Sequence, residues 1–118
     1  MSMHATLGVR YSDGSIDGCY VHLDGLTMRY RISEYLSKKT TTDLAILINR
    51  AQVRGGMRAF HSAPYDFPLD APPVTIFLDN DDLYIINEKN WEDDHMGSHQ
   101  SYLVDYESGT ILDRSPAG

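Results

Sequence analysis

The residues from Ala5 to Tyr11 and from Ile16 to Leu23 read as two strands, joined at Ser12-Asp13-Gly14-Ser15. Asp-Gly accepts the positive φ angles of a tight hairpin turn. Along the second strand, a period of two puts Ile16, Gly18, Tyr20 and His22 on one face and Asp17, Cys19, Val21 and Leu23 on the other. Asp24-Gly25 ends it. The period then changes. From Thr27 to Lys39, Met28, Ile32, Tyr35 and Leu36 recur at helical spacing, with Arg29, Arg31, Lys38 and Lys39 on the remaining surface. A second helix is expected to start at Thr41 or Thr42, whose hydroxyl would cap its free N–H groups. Leu44, Leu47, Ile48 and Ala51 follow at i, i+3, i+4 and i+7, and Gly55-Gly56 ends the run.

Beyond Gly56 the pattern returns to short strands. Met57 to Phe60 is one; Pro64, Pro68, Pro72 and Pro73 then predict an irregular loop. Val74 to Leu78 and Leu83 to Glu88 read as strands around a hairpin turn at Asp79-Asn80-Asp81-Asp82. Asn90 to Ser101 is a polar connection, and a last hairpin joins Tyr102–Tyr106 to Thr110–Asp113 through Glu107-Ser108-Gly109. The order ββ-αα-(β)ββ-ββ predicts an α+β fold: a mainly antiparallel sheet with two helices packed on one face. The 118 residues suit one domain spanning 1–118.

Composition refines this picture chiefly through charge. The net charge of −7 is divided unevenly. Residues 1–61 hold eight Lys/Arg against five acids, and residues 62–118 hold two against twelve. The acidity belongs to the second half. An acidic chain whose cations are spread over two helices lacks the basic footprint of a nucleic-acid binder, so no direct nucleic-acid contact is expected. The single cysteine, Cys19, excludes an internal disulfide framework and a multi-thiolate zinc site, and points to a reducing, cytoplasmic compartment. No apolar run reaches the length of a membrane span or follows positive charge as a signal peptide would.

Catalytic constellations are sparse. His22 and Asp24, two apart on a strand, share a face as a general base and its orienting carboxylate would, but no nucleophile stands at a telling spacing. His95 and His99, with Asp93 or Asp94, would face one metal ion if helical; Gly97 between them argues for a solvated loop. Cys19 and His22 point to opposite strand faces. Asp79-Asn80-Asp81-Asp82 opens like a calcium loop, yet Tyr84 and Asn90 occupy the places of its glycine and bidentate glutamate. No cofactor, metal or catalytic residue is therefore expected.

Association is the remaining class. Asp79, Asp81, Asp82, Glu88, Glu92, Asp93 and Asp94 form an acidic stretch complementary to a basic protein surface, with ordinary solubility as the alternative role. Trp91, in its midst, is either an exposed anchor for a partner or a residue closing the core from a loop. The expected state is a monomer or small homo-oligomer.

The segment Tyr11-Ser12-Asp13-Gly14-Ser15-Ile16, leading to Tyr20-Val21-His22-Leu23-Asp24-Gly25, resembles the start of a group of small uncharacterised phage-encoded proteins. Those carry a Y-x-D-G-S hairpin, a strand ending H-W-D-G-Y, two short helices and a late hairpin. Leu23 and Leu26 stand here in place of the tryptophan and tyrosine. The resemblance implies a phage or mobile-element origin and a bacterial host cytoplasm, and supplies no established activity; the expectation drawn with the charge pattern is an accessory protein that binds and modulates, by inhibition, a host or immune-defence protein through its acidic surface. The alternatives are a small metal-dependent or acid–base enzyme using His22/Asp24 or His95/His99, and a self-assembling phage structural component.

Overall fold

A computed structural model describes residues 5–22, 28–62, 74–80, 83–89, 91 and 100–114. Strand β1 (Ala5–Arg10) turns back into β2 (Ile16–Val21). The Tyr11 N–H donates to the Ser15 carbonyl at 2.9 Å, and the Ser15 N–H and hydroxyl both donate to Asp13 Oδ1. Helices α1 (Met28–Leu36) and α2 (Thr41–Gln52) follow, then β3 (Met57–Ser62), β4 (Val74–Phe77), the two-residue β5 (Ile86–Asn87), β6 (Gln100–Asp105) and β7 (Ile111–Arg114). The proline loop expected between β3 and β4 falls largely outside the described residues.

The α+β class and the two helices agree with the sequence pattern. The sheet, in order β4-β3-β2-β1-β6-β7, is mixed: β1 runs parallel to β6 and β2 parallel to β3, while the other pairings are antiparallel. The hairpin expected between Val74–Leu78 and Leu83–Glu88 does not form. β4 pairs with β3, whereas β5 pairs with Asp17 and Gly18 at the start of β2. The free edge of β2 is thus shared, with Val21 at its far end paired to Met57 of β3.

Both helices cover one face of the sheet. Ala5, Leu7 and Val9 of β1, Cys19 and Val21 of β2, and Tyr102 and Val104 of β6 pack there against Met28, Ile32, Leu44, Ile48 and Ala51. Each fully buried Leu or Ile contributes roughly 1.5–3 kcal/mol relative to leaving it exposed. The cap of α2 lies one residue earlier than the sequence suggests. Thr40 accepts from the Asp43 N–H, and the Asp43 carboxylate accepts from the Thr40 N–H, a reciprocal capping box. At the other end the Arg54 and Gly56 N–H groups both return to the Ala51 carbonyl, with Gly55 and Gly56 at φ of 81° and 116°. The Gln52 side chain, buried, donates from Nε2 to the Gly18 carbonyl at 2.9 Å and ties α2 to β2.

The opposite face carries a smaller apolar cluster of Ile16, Ile86, Trp91 and Leu103, flanked by Tyr84 and Leu112. Its centre is a gap in the sheet surface. Gly8 and Gly18 are directly paired across β1 and β2, and Gly8 is also paired with Leu103 of β6. The Trp91 indole fills this gap: a Cβ at Gly8 would stand 2.6 Å from its Cζ3, and one at Gly18 3.0 Å from the same atom.

Candidate protein-binding surface

The acidic stretch singled out in the sequence begins where β4 ends, and backbone hydrogen bonds hold its described part against the end of α2. Leu78 N–H donates to the Gly56 carbonyl at 3.1 Å, Asn80 N–H to Arg54 at 3.3 Å, and Tyr84 N–H to Gln52 at 2.8 Å. The segment therefore runs beside residues 52–56. Side chains from 83 to 86 alternate as in a strand. Tyr84 and Ile86 turn inward, Tyr84 stacking on Tyr20 with centroids 6.1 Å apart, while Leu83 and Ile85 face solvent at 63% and 44% exposure. Val53, next to the bonded Gln52, is 60% exposed. Three large apolar side chains thus stand exposed on adjoining stretches of backbone, a pattern associated with interaction surfaces when it is contiguous.

The acids of this segment have different fates. Asp79 takes a positive φ of 58° and pairs with Arg54 at 3.2 Å, both side chains being exposed. Arg54 also lies over the Phe77 ring, 4.8 Å from its centroid. An exposed pair of this kind contributes about 0–1 kcal/mol and leaves the segment's field largely available to a partner. Glu88 is exposed, and its Oε2 accepts from the Ile16 N–H at 3.3 Å. Asp81, Asp82, Glu92, Asp93 and Asp94 lie outside the described residues.

Trp91 is a correction. It is 2% exposed and seals the face opposite the helices, so it closes the core and is not an exposed anchor. Its Nε1 has no hydrogen-bond partner among the described residues. The two glycines that admit it were present in the sequence, but only their register across β1 and β2 discloses the slot.

For the catalytic alternatives, His22 is half-buried with Nδ1 2.7 Å from the Tyr20 hydroxyl. Burial raises the Tyr20 pKa. The Tyr20 phenol is the described group on that ring nitrogen. Asp24, His95 and His99 lie outside the described residues. Among the described residues no cluster of three or more His, Cys, Asp or Glu side chains is placed to hold a metal ion, and no helix is long and apolar enough to cross a membrane. Cys19 is fully buried in the helix-side core, where burial pushes its thiol pKa up, away from the reactive thiolate.

Two features escaped the sequence pattern. His61 holds φ of 47° where the pairing of β3 with β4 shifts register. Its ring meets Tyr35 edge-on at 5.3 Å, and its Nε2 has no hydrogen-bond partner among the described residues; Glu34 Oε1 stands 3.8 Å away. Burial lowers its pKa, Glu34 opposes that shift, and Lys38 and Arg31 add to it. The other feature is an open groove of about 290 Å³ between the end of α1 and α2, lined by Tyr35, Lys39, Asp43, Ile46, Leu47 and Arg50. The last four stand at i, i+3, i+4 and i+7, one stripe of α2. Helical periodicity located that stripe only as the flank of the buried face.

Comparison with protein-family models, with curated proteins and with solved structures returned no match to this chain.

Proposed function

We propose that the protein is a binding module without catalytic activity or cofactor: a phage-type accessory protein that binds and inhibits a host or immune-defence protein carrying a basic surface. The observation that carries this reading is the exposure of Leu83 and Ile85 within the acidic segment. Protein interfaces combine an apolar centre, which supplies most of the affinity, with a polar rim that steers encounter and selects the partner. Leu83, Ile85 and Val53 are the centre in this reading. Asp79 and Glu88 are the described acids of the rim, and the sequence adds Asp81, Asp82, Glu92, Asp93 and Asp94 to the same acidic stretch. The phage setting and the inhibitory role rest on the resemblance of the Tyr11–Gly25 segment alone.

The test is affinity capture from bacterial lysate by three proteins: wild type, Leu83→Ser/Ile85→Ser, and a variant with Asp79, Asp81, Asp82, Asp93 and Asp94 changed to Asn. A specific partner should be held by wild type and lost by both variants. With that partner purified, the acid-neutralised variant should bind about tenfold or more weakly at low salt and the difference should shrink as salt rises. Equal capture by all three proteins refutes the assignment of this surface.

A further inference from the structure

The helical layer is basic although the chain is acidic. Residues 28–54 hold six Lys/Arg against two acids, Glu34 and Asp43, in a chain whose net charge is −7. The groove between the end of α1 and α2 lies within this layer and follows most of the length of α2: Lys39 precedes the helix, Asp43 is in its first turn and Arg50 in its last. At 1.5 Å of rise per residue, Asp43 and Arg50 stand about 10 Å apart along the axis. The apolar part between them is fixed in advance. Tyr35 is buried, its ring 5.5 Å from that of Phe60 and 5.3 Å from that of His61, and Leu47 packs against the main core. Ile46 stands beside them at 50% exposure.

The acid of the groove is already engaged. Asp43 Oδ2 accepts from the Thr40 N–H at 3.0 Å and from the Thr40 hydroxyl at 3.1 Å, and these bonds, with the nearby charge of Lys39, hold its carboxyl below the usual carboxylate range. Lys39 is thus partly offset. Arg50 is exposed and forms no ion pair among the described residues. The groove therefore has a cation toward each end, the stronger at Arg50, and an apolar middle. Its complement is a chain that presents acid, apolar group and acid on one side. In an extended peptide, positions i, i+2 and i+4 share a face and span roughly 13 Å, which suits the 10 Å or so from Asp43 to Arg50 together with the further reach to Lys39.

We infer that this groove binds an extended acidic peptide segment of another protein, with one carboxylate on Arg50, another on Lys39, and an apolar side chain between them against Ile46, Leu47 and Tyr35. The contact is weak and reversible, because the volume of about 290 Å³ is just below the range of roughly 300–1,000 Å³ typical of ligand pockets, and the groove is open. It shares no residue with the Leu83–Ile85 ridge and does not rest on the partner proposed for that ridge.

Fluorescence anisotropy of a labelled Ser-Glu-Ser-Leu-Ser-Glu-Ser peptide, titrated with the full chain to about 1 mM, tests the inference. In about 0.1 M NaCl the Debye length of about 10 Å limits the peptide to the field of the groove and screens the charge of the rest of the chain. Binding should saturate, and replacing both peptide Glu by Gln, or its Leu by Ser, should weaken it about tenfold or more. Ile46→Glu and Arg50→Glu should each have an effect of the same size, with unchanged circular dichroism and melting; Arg50→Gln serves in place of Arg50→Glu if that variant does not fold. Ser33→Glu adds the same charge as Ile46→Glu at an exposed position of α1 that does not line the groove, and should bind like wild type. Absence of saturation by about 1 mM overturns the proposal, as does equal binding of the Gln peptide. Affinity unchanged by both groove variants, or lowered equally by Ser33→Glu, overturns it too.

Discussion

Replacing Gly8 by alanine tests the Trp91 slot with one methyl group. The new Cβ would lie 2.6 Å from Trp91 Cζ3, 3.0 Å from Cη2 and 3.2 Å from the Asp17 carbonyl oxygen. Carbon atoms pack best about 3.5–4.0 Å apart, so the closest contact is about 1 Å too short. β1 is held on both sides, by β2 and β6, and cannot recede without breaking register. The indole must move instead. Overpacking of this kind costs about 1–3 kcal/mol. Lower freedom of the unfolded chain returns about 0.4–1 kcal/mol. The expected net loss is about 1–2 kcal/mol, a fall in Tm of roughly 5–10 °C for a domain of this size. Urea unfolding followed by circular dichroism measures it. The decisive comparison is made in Trp91→Leu, which is itself destabilised but lacks the clashing ring. There Gly8→Ala should be neutral or slightly stabilising, giving a coupling energy of about 2 kcal/mol. The same loss with and without the indole would falsify the argument that Gly8 exists to admit Trp91.

Two further outcomes follow from the helical side. Thr40→Ala removes the cap acceptor of α2 and should cost about 1 kcal/mol in thermal or urea unfolding, whereas Thr42→Ala, at the second residue of the helix, should cost less; the reverse ranking would move the cap back to the sequence-based position. The folded-state pKa of His61 is lowered, so the unfolded chain binds its proton more readily and the stability contributed by the neutral ring, fully present above about pH 6.5, declines as pH falls toward the folded value. Asn tolerates the left-handed backbone at this position. Tm measured at about pH 7.5 and 5.5 should therefore drop further for wild type than for His61→Asn, and equal drops would remove His61 as the cause.

What was legible in the sequence was local. The period of Leu44, Ile48 and Ala51 reports a helix because neighbours three and four apart share a face whatever surrounds them. The Asp13-Gly14 turn is set by residues in direct succession. Strand partnership is different: the choice of β6 as the parallel neighbour of β1, and of β2 rather than β4 as the partner of β5, depends on positions far apart in the chain and leaves no local period. Register then decides what a residue does. Trp91 stands among charged residues and looks solvent-facing until the Gly8–Gly18 pairing makes room for it. Leu83 and Ile85 read as ordinary strand residues, and their exposure follows only from the inward turn of Tyr84 and Ile86. The acidic stretch was plain from composition; its apolar ridge was not.

The pairing of β1 with β6 has a consequence for how the chain is made. Ala5 meets Gln100, so β1 leaves the ribosome about 95 residues ahead of its parallel partner. At about 5–20 residues per second that interval is roughly 5–20 s. Throughout it β1 has only β2 beside it, and a two-stranded hairpin is at best marginally stable alone. Long-range closure of this kind slows folding because loop entropy is lost before the contact is gained. The nascent chain therefore presents an open apolar strand edge for seconds, and it is in this window, more than in the finished fold, that the protein is exposed to aggregation and to chaperones.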